Sequence, residues 1–421
     1  MNASRGTLVV NTGFPELNHL AAGLADKNLL SMYVRPYANL GRNWENALTR
    51  IPGVTNVYQN TFGRRRMPFP LVKDQICEVA QLPDFVMAAH FRLPFRGPIH
   101  QAIRARLMRH VSGSIARNAA KFLKNERVVI ASWWTARPIF ERAVDLGVRR
   151  MLDYPTVHHA FTHRILQEAG ECEPDFIDTI DNYNWSNDEI LQLDAEIELA
   201  DYILVGSTFV RASFMAQGIP ADKLIVIPYG FEPELFAPLL HEETHRDFNI
   251  IFAGRIGQRK GISYLLRAYD RMRSATTTLT LVGDLPSHSA AFLPWRHLFR
   301  HVPHASRQTL ADLFRQSDVF LFPTLADGMA LVVLEAMASG LPVVTTPNGP
   351  GDLVRDGVDG FVVPPRNVDA IVESLEKLRS DPELRRWMGW NAAARAREFT
   401  WAKYRSETSG FVKQLLESDR L

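Results

Sequence analysis

Hydrophobic and polar positions fall into two successive series along the chain. Short apolar runs bounded by polar loops recur at Thr7–Asn11, Leu30–Val34, Val128–Ser132, Arg150–Asp153, Tyr202–Ser207 and Leu224–Pro228. Stretches of helical character separate them. That rhythm predicts a parallel sheet wrapped by helices. A second series begins at Phe248 and includes Ile250–Ala253, Leu279–Val282, Val319–Pro323, Val343–Thr345 and Phe361–Val363. Between the two lies FEPELFAPLLHEETHRD, polar and proline-containing, which reads as a linker. The prediction is an α/β chain with two Rossmann-like domains, residues 1–232 and 245–400. The end, FTWAKYRSETSGFVKQLLES, predicts an amphipathic helix over about residues 401–421.

Composition changes this picture little, and charge changes it more. The 421 residues are 46% hydrophobic and 22% charged, the balance of a soluble globular protein with ample core. Two cysteines, Cys77 and Cys172, offer neither a disulfide framework nor a metal cluster. The opening MNASRGTLVVNTG reads as a tail into a first strand, and no apolar stretch reaches the length of a membrane span. These features predict a cytoplasmic protein, with a peripheral seat at the inner face of the membrane left open. The net charge of +2 hides an asymmetry: residues 1–150 hold 22 Lys and Arg against 9 Asp and Glu. From Ile165 to Asp201 the chain has twelve acids and no Lys or Arg. The first third therefore presents a positive field suited to an anionic partner.

Candidate chemistry concentrates in residues 321–346, LFPTLADGMALVVLEAMASGLPVVTT. An apolar strand breaks into a loop ending Ala326-Asp327-Gly328, a helix opens near Met329 and carries Glu335, and a second strand follows Gly340. In open α/β sheets ligands bind at the carboxyl ends of strands, where such a loop sits. Two carboxylates eight residues apart bracket a helix start, whose N–H groups suit a ligand carrying phosphate and hydroxyl groups. A second segment, IFAGRIGQRKGISYLLRAY at 251–269, runs from a strand through Gly254-Arg255 to Lys260-Gly261 at a helix start. Arg255 can fork onto phosphate oxygens and Lys260 can act as a point charge. Arg259, beside Lys260, reads as an exposed charge.

The Asp327-x7-Glu335 segment resembles the acidic-x7-acidic signature of the retaining glycosyltransferases of family 4, which have the GT-B fold. The family usually has Glu where this chain has Asp327. Gly254-Arg255 and Lys260-Gly261 resemble the family's GR…KG motif, and RDGVDGFVVPP resembles the segment that closes its C-terminal sheet. The resemblance spans most of the chain and is dense from about Asp194 to Asp369. It implies two Rossmann-like domains facing across a cleft, with the terminal helix crossing back to the N-terminal domain. It also implies a nucleotide-sugar donor on the C-terminal domain, with Glu335 on the ribose and Arg255 and Lys260 on the diphosphate. Asp327 and the backbone N–H groups of Gly328, Met329, Ala330, Leu331 and Val332 would hold the sugar and β-phosphate. Gly13, after the first strand, would lie close to the donor.

Family members often carry a histidine facing the donor sugar at the end of a strand. Here LDYPTVHHAFTHR offers His158, His159 and His163, of which His158 is preferred. Their spacing lacks the H-E-x-x-H arrangement, so no metal ligand set is assigned. From Ile99 to Lys124 apolar residues recur at helical spacing among six Arg and Lys, and Arg64-Arg65-Arg66 lies nearby in sequence. Residues 91–124 thus form a basic amphipathic candidate for contact with an anionic membrane. No nucleic-acid-binding motif accompanies the charge.

The expected activity is transfer of a sugar from a nucleotide diphosphate donor to a hydroxyl acceptor, retaining and metal-independent, with no cofactor. The acceptor suggested is a glycan or lipid-linked glycan of surface polysaccharide synthesis. A GT-B nucleotide-sugar epimerase and a non-catalytic nucleotide-sugar-binding protein are the alternatives.

Overall fold

The computed structural model describes residues 6–40, 42–48, 50–51, 73–90, 98–180, 185–238, 247–286 and 289–418. The Arg64–Arg66 run and residues 91–97 of the basic segment lie outside the described residues. Thirteen described strands form two parallel sheets. The first comprises β1 (Thr7–Val10), β2 (Leu30–Arg35), β3 (Ile76–Glu78), β4 (Val128–Ser132), β5 (Arg149–Asp153), β6 (Tyr202–Val205) and β7 (Leu224–Val226), in the order β3-β2-β1-β4-β5-β6-β7. The second comprises β8 (Phe248–Ala253), β9 (Thr277–Val282), β10 (Arg300–Val302), β11 (Val319–Phe322), β12 (Val343–Thr345) and β13 (Gly360–Val362), in the order β10-β9-β8-β11-β12-β13.

Burial explains why the central strands are apolar without alternation. Helices cover both faces of a parallel sheet, so β1, β4 and β11 bury every residue. In each sheet the strand order reverses direction beside its first strand, between β1 and β4 in one and between β8 and β11 in the other. A crevice forms outside the carboxyl ends of strands at such a point. The two strands absent from the predicted series, β3 and β10, are three-residue edge strands with charged or polar positions.

By its contacts the chain divides into two compact units. One holds Met1–Tyr154, Ser186–Leu204 and Tyr404–Leu421, and the other Pro155–Trp185 and Val205–Lys403. Within the first unit, the terminal helix Trp401–Ser418 docks at its end through Arg127 and Arg149. Their guanidiniums donate to the carbonyls of Leu416 and Leu415, each at 2.6 Å. Cations there satisfy orphan carbonyls and oppose the helix macrodipole. Gly23 permits close approach on the same helix, since a Cβ there would lie 2.6 Å from the Arg405 oxygen.

The acidic stretch is partly spent inside the first unit. Ser186 and Glu189 form a capping box at the start of the Asn187–Leu199 helix, and Glu189 also pairs with Arg109 at 2.7 Å. Buried Glu196 accepts the N–H groups of Trp134 and Ala136 at 2.8 and 3.0 Å, and Asp201 pairs with Arg150. The basic first third is therefore partly neutralised by its own chain. No described helix is long and apolar enough to cross a membrane.

Candidate active site

Within the second unit, the carboxyl ends of β8 and β11 sit side by side at the switch point. After β8 the backbone turns at Gly254, whose φ of 142° lies outside the range open to most side chains. Arg255 follows, exposed. The chain then makes a 3₁₀ turn, Gln258–Lys260, and Gly261 at φ 72° starts the Ile262–Met272 helix. A Cβ on Gly261 would fall 2.0 Å from the Pro323 carbonyl, so only glycine lets this loop close onto the end of β11.

That closure carries Lys260 to Asp327. The Lys260 ammonium bonds the Asp327 carboxylate and lies 5.1 Å from the centre of the Phe322 ring. The other carboxylate oxygen accepts the Gly328 N–H at 2.8 Å. Burial pushes the Asp327 carboxyl upward, but the charges of Lys260 and Arg259 and these hydrogen bonds outweigh it, holding the group below its ordinary range. Asp327 is thus a firmly ionised, half-buried acid. Arg259 departs from the exposed charge expected: its guanidinium donates to the Ala326 carbonyl at 2.8 Å, and its own carbonyl accepts from Leu325 at 2.9 Å.

The turn after Asp327 is enclosed by backbone. A Cβ on Gly328 would sit 2.1 Å from the Pro155 oxygen, and one on Gly349 would sit 2.8 Å from the Asp327 Cβ. Ser207 Oγ donates to the Gly328 carbonyl at 2.5 Å, and the Tyr229 N–H meets Met329 Sδ at 2.9 Å. Ala330 adopts φ 58°, a left-handed conformation that costs a non-glycine residue energy and clusters at functional sites. The helix therefore begins at Leu331, two residues beyond the expected Met329. Its first turn presents orphan N–H groups and a positive dipole end.

Glu335 lies one turn further on, with its side chain 14% exposed and 3.1 Å from the Arg307 guanidinium. Burial raises its pKa to about 7; Arg307 opposes the rise and Glu232 adds to it. His158 and His159 are both buried and their rings stack at 4.3 Å, whereas His163 is exposed. The His158 N–H donates to Ser213 Oγ at 3.0 Å, and its Nδ1 accepts the Ala160 N–H at 3.2 Å. Burial, then His159, lowers its pKa to about 3. His158 is a neutral imidazole whose proton sits on Nε2, where it can donate one hydrogen bond.

The second unit thus assembles Lys260, Asp327, the Gly328–Val332 turn and Glu335 around one strand-to-helix junction. Arg255 leads the adjoining loop, and the segment from Pro155 to His158 begins against Gly328. Gly13 belongs to the first unit, at φ 141°, with its N–H given to Asn11 Oδ1 at 2.8 Å. Sequence reasoning missed Arg307, Arg259 and Ser207 as parts of the site. Arg307 leaves a readable signal: it is a cation at the first position of the Arg307–Arg315 helix, where the macrodipole favours an anion.

Comparison with known proteins shows what the chain resembles. Residues 247–381 match the family model Glycosyl transferases group 1. D-inositol 3-phosphate glycosyltransferase of Paenarthrobacter aurescens is 28% identical over 238 residues, 50% of this chain and 58% of that protein. Sulfoquinovosyl transferase SQD2 of Arabidopsis thaliana is 29% identical over 221 residues, 48% of this chain and 42% of that one. The chain spans little more than half the length of the first curated relatives it matches. Among solved structures, sucrose-phosphate synthase from Thermosynechococcus elongatus aligns with a TM-score of 0.66 at 15% identity, over 98% of this chain and 100% of that one. Anabaena Alr3699/HepE, solved in complex with UDP-glucose, aligns with a TM-score of 0.61 at 13% identity, over 97% and 99%. The fold is GT-B.

Proposed function

We propose, from a glycosyl transferases group 1 domain at residues 247–381 in a GT-B fold, that this protein moves a sugar from a nucleotide diphosphate donor to a hydroxyl acceptor. The observation that carries the reading is the Lys260–Asp327 pair at the β8–β11 switch point, with half-buried Glu335 eight residues on. A nucleoside diphosphate leaving group develops negative charge that fixed cations and a helix N-terminus stabilise. Lys260 and Arg255 take the diphosphate, Glu335 accepts from the ribose hydroxyls, and Asp327 with the Gly328–Val332 backbone holds the sugar and β-phosphate. Donor binding exchanges the Lys260–Asp327 pair for two ligand contacts.

His158 donates from Nε2 to the donor beside the departing phosphate. The transfer is retaining: the acceptor hydroxyl attacks from the face the diphosphate leaves, and the departing phosphate takes its proton. Fixed cations supply the charge a divalent metal would otherwise supply, so the reaction runs without one. The first unit binds the acceptor, a glycan or lipid-linked glycan of surface polysaccharide synthesis, at the cytoplasmic face of a membrane. The names of the relatives and the UDP-sugar complex of the HepE structure support a nucleotide-sugar substrate.

The test is thermal stabilisation by UDP, GDP, ADP and dTDP, each with and without magnesium. A nucleotide at a hundred times its Kd adds roughly 2.7 kcal/mol of stability. One base should stabilise the protein equally with and without magnesium, and its sugar conjugate should then give a product whose anomeric configuration, read by NMR, matches the donor. Silence across the panel overturns the reading. Glu335→Ala should weaken nucleoside diphosphate binding, and unchanged affinity would remove the ribose assignment.

A further inference from the structure

Glu335 has a partner that the donor-site reading does not use. Arg307 opens its helix after Ser306, whose side chain accepts the Thr309 N–H at 3.0 Å. One guanidinium nitrogen lies 3.1 Å from Glu335 Oε1, another lies 3.9 Å from Glu232, and the group sits 5.3 Å above the Phe236 ring. The Glu335 carboxylate on its edge and an aromatic ring on its face orient it, with Glu232 at longer range. A cation there runs against the dipole of its own helix, so its position is set by these neighbours.

We propose that Arg307 is a positioning residue that orients Glu335 for the ribose and favours its ionised form, so that discrimination of ribose from 2′-deoxyribose depends on Arg307. This rests on the donor-site reading above. Ribose offers two adjacent hydroxyl donors, and a carboxylate can accept both. A protonated carboxyl loses one acceptor position to its own O–H. Glu335 is poised for that loss, because burial draws its pKa to about 7 with Arg307 opposing. The charged groups facing it among the described residues are Arg307 and Glu232, and Glu232 disfavours its ionisation. Removing Arg307 leaves the carboxyl beside an acid and short of a cation. It then holds its proton through neutral pH.

The experiment measures binding of UDP, GDP and ADP and of their 2′-deoxy forms by calorimetry at pH 6, 7 and 8.5. The proteins compared are wild type, Arg307→Ala, Arg307→Lys and Glu335→Gln, each checked for an intact thermal transition. Arg307→Ala should lose affinity for the ribonucleotide by about tenfold at pH 6 for each pKa unit gained by Glu335, recovering toward pH 8.5. Its ribose preference should vanish at pH 6, and Arg307→Lys should restore part of both. A loss equal at all three pH values with ribose preference kept would overturn the proposal, as would no loss at all. If Glu335→Gln abolishes the preference while Arg307→Ala keeps it, the donor site stands and the role of Arg307 falls. Failure of wild type to bind any of the nucleotides removes both.

Discussion

Gly328 has no room for a side chain, because the Pro155 carbonyl occupies the space a Cβ would need. Gly328→Ala should therefore force the turn apart and cost about 1 to 3 kcal/mol, read as a lower Tm, together with a loss of transfer activity. Unchanged stability would show that the Pro155 segment yields freely. Lys260→Ala should weaken nucleoside diphosphate binding and deprive half-buried Asp327 of its bonded cation, at a cost on the order of 2 kcal/mol. Asp327→Asn tests the same pair from its other side. It keeps the shape, and retained stability with lost transfer would separate the two roles. At this scale the sequence announced Asp327, Lys260 and Glu335, because their spacing at strand ends is a one-dimensional signal. It was silent on Ser207 and Arg307, which reach the site from 121 and 28 residues away and acquire meaning only when the chain has folded.

The strands flanking each switch point, such as β1, β4 and β11, were legible because burial of every residue makes them largely apolar. β3 and β10 escaped because their residues, Ile-Cys-Glu and Arg-His-Val, are broken by charged or polar positions and make no continuous apolar run. The Leu331–Ala338 helix was found but placed two residues early, since no sequence rule foresees an alanine at φ 58°. The terminal helix brings Tyr404 over two buried acids, Glu16 at the start of the Pro15–Asp26 helix and Asp153 at the end of β5. Burial raises the pKa of Glu16 to about 7, and burial followed by the Glu16 charge raises that of Asp153 well above its usual range. The unfolded chain releases these protons near its ordinary carboxyl pKa, while the folded protein keeps that of Glu16 to about pH 7 and holds that of Asp153 well above the ordinary range. Folding stability should therefore decline as pH rises from about 4.5 to 7, then level off for Glu16. Glu16→Gln should flatten that decline in a Tm series across pH 5 to 8. An unaltered slope would place the buried protons elsewhere.

The charge asymmetry of the whole molecule is smaller in space than in sequence. Arg109 and Arg150 answer Glu189 and Asp201, so the field of the first 150 residues is weaker than its composition implies. The Pro98–Ala120 helix nonetheless exposes Met108 and Ile103 beside Arg106 and Arg109. Sedimentation with anionic vesicles should occur at about 10 mM salt and disappear near 1 M, where the screening length falls to roughly 3 Å. Neutral vesicles binding equally well, or no binding at low salt, would remove the membrane contact.

The first unit is stitched from three stretches, of which the last is Tyr404–Leu421. During synthesis the ribosome makes Met1–Tyr154 first, yet the Arg127 and Arg149 guanidiniums wait for carbonyls near residue 415. The second unit ends at Lys403 and is fully translated by then. What is made first is finished last, so a chain stalled before residue 404 exposes the apolar seat of its missing helix. A quality-control protease would read that exposed seat as the mark of an unfinished polypeptide.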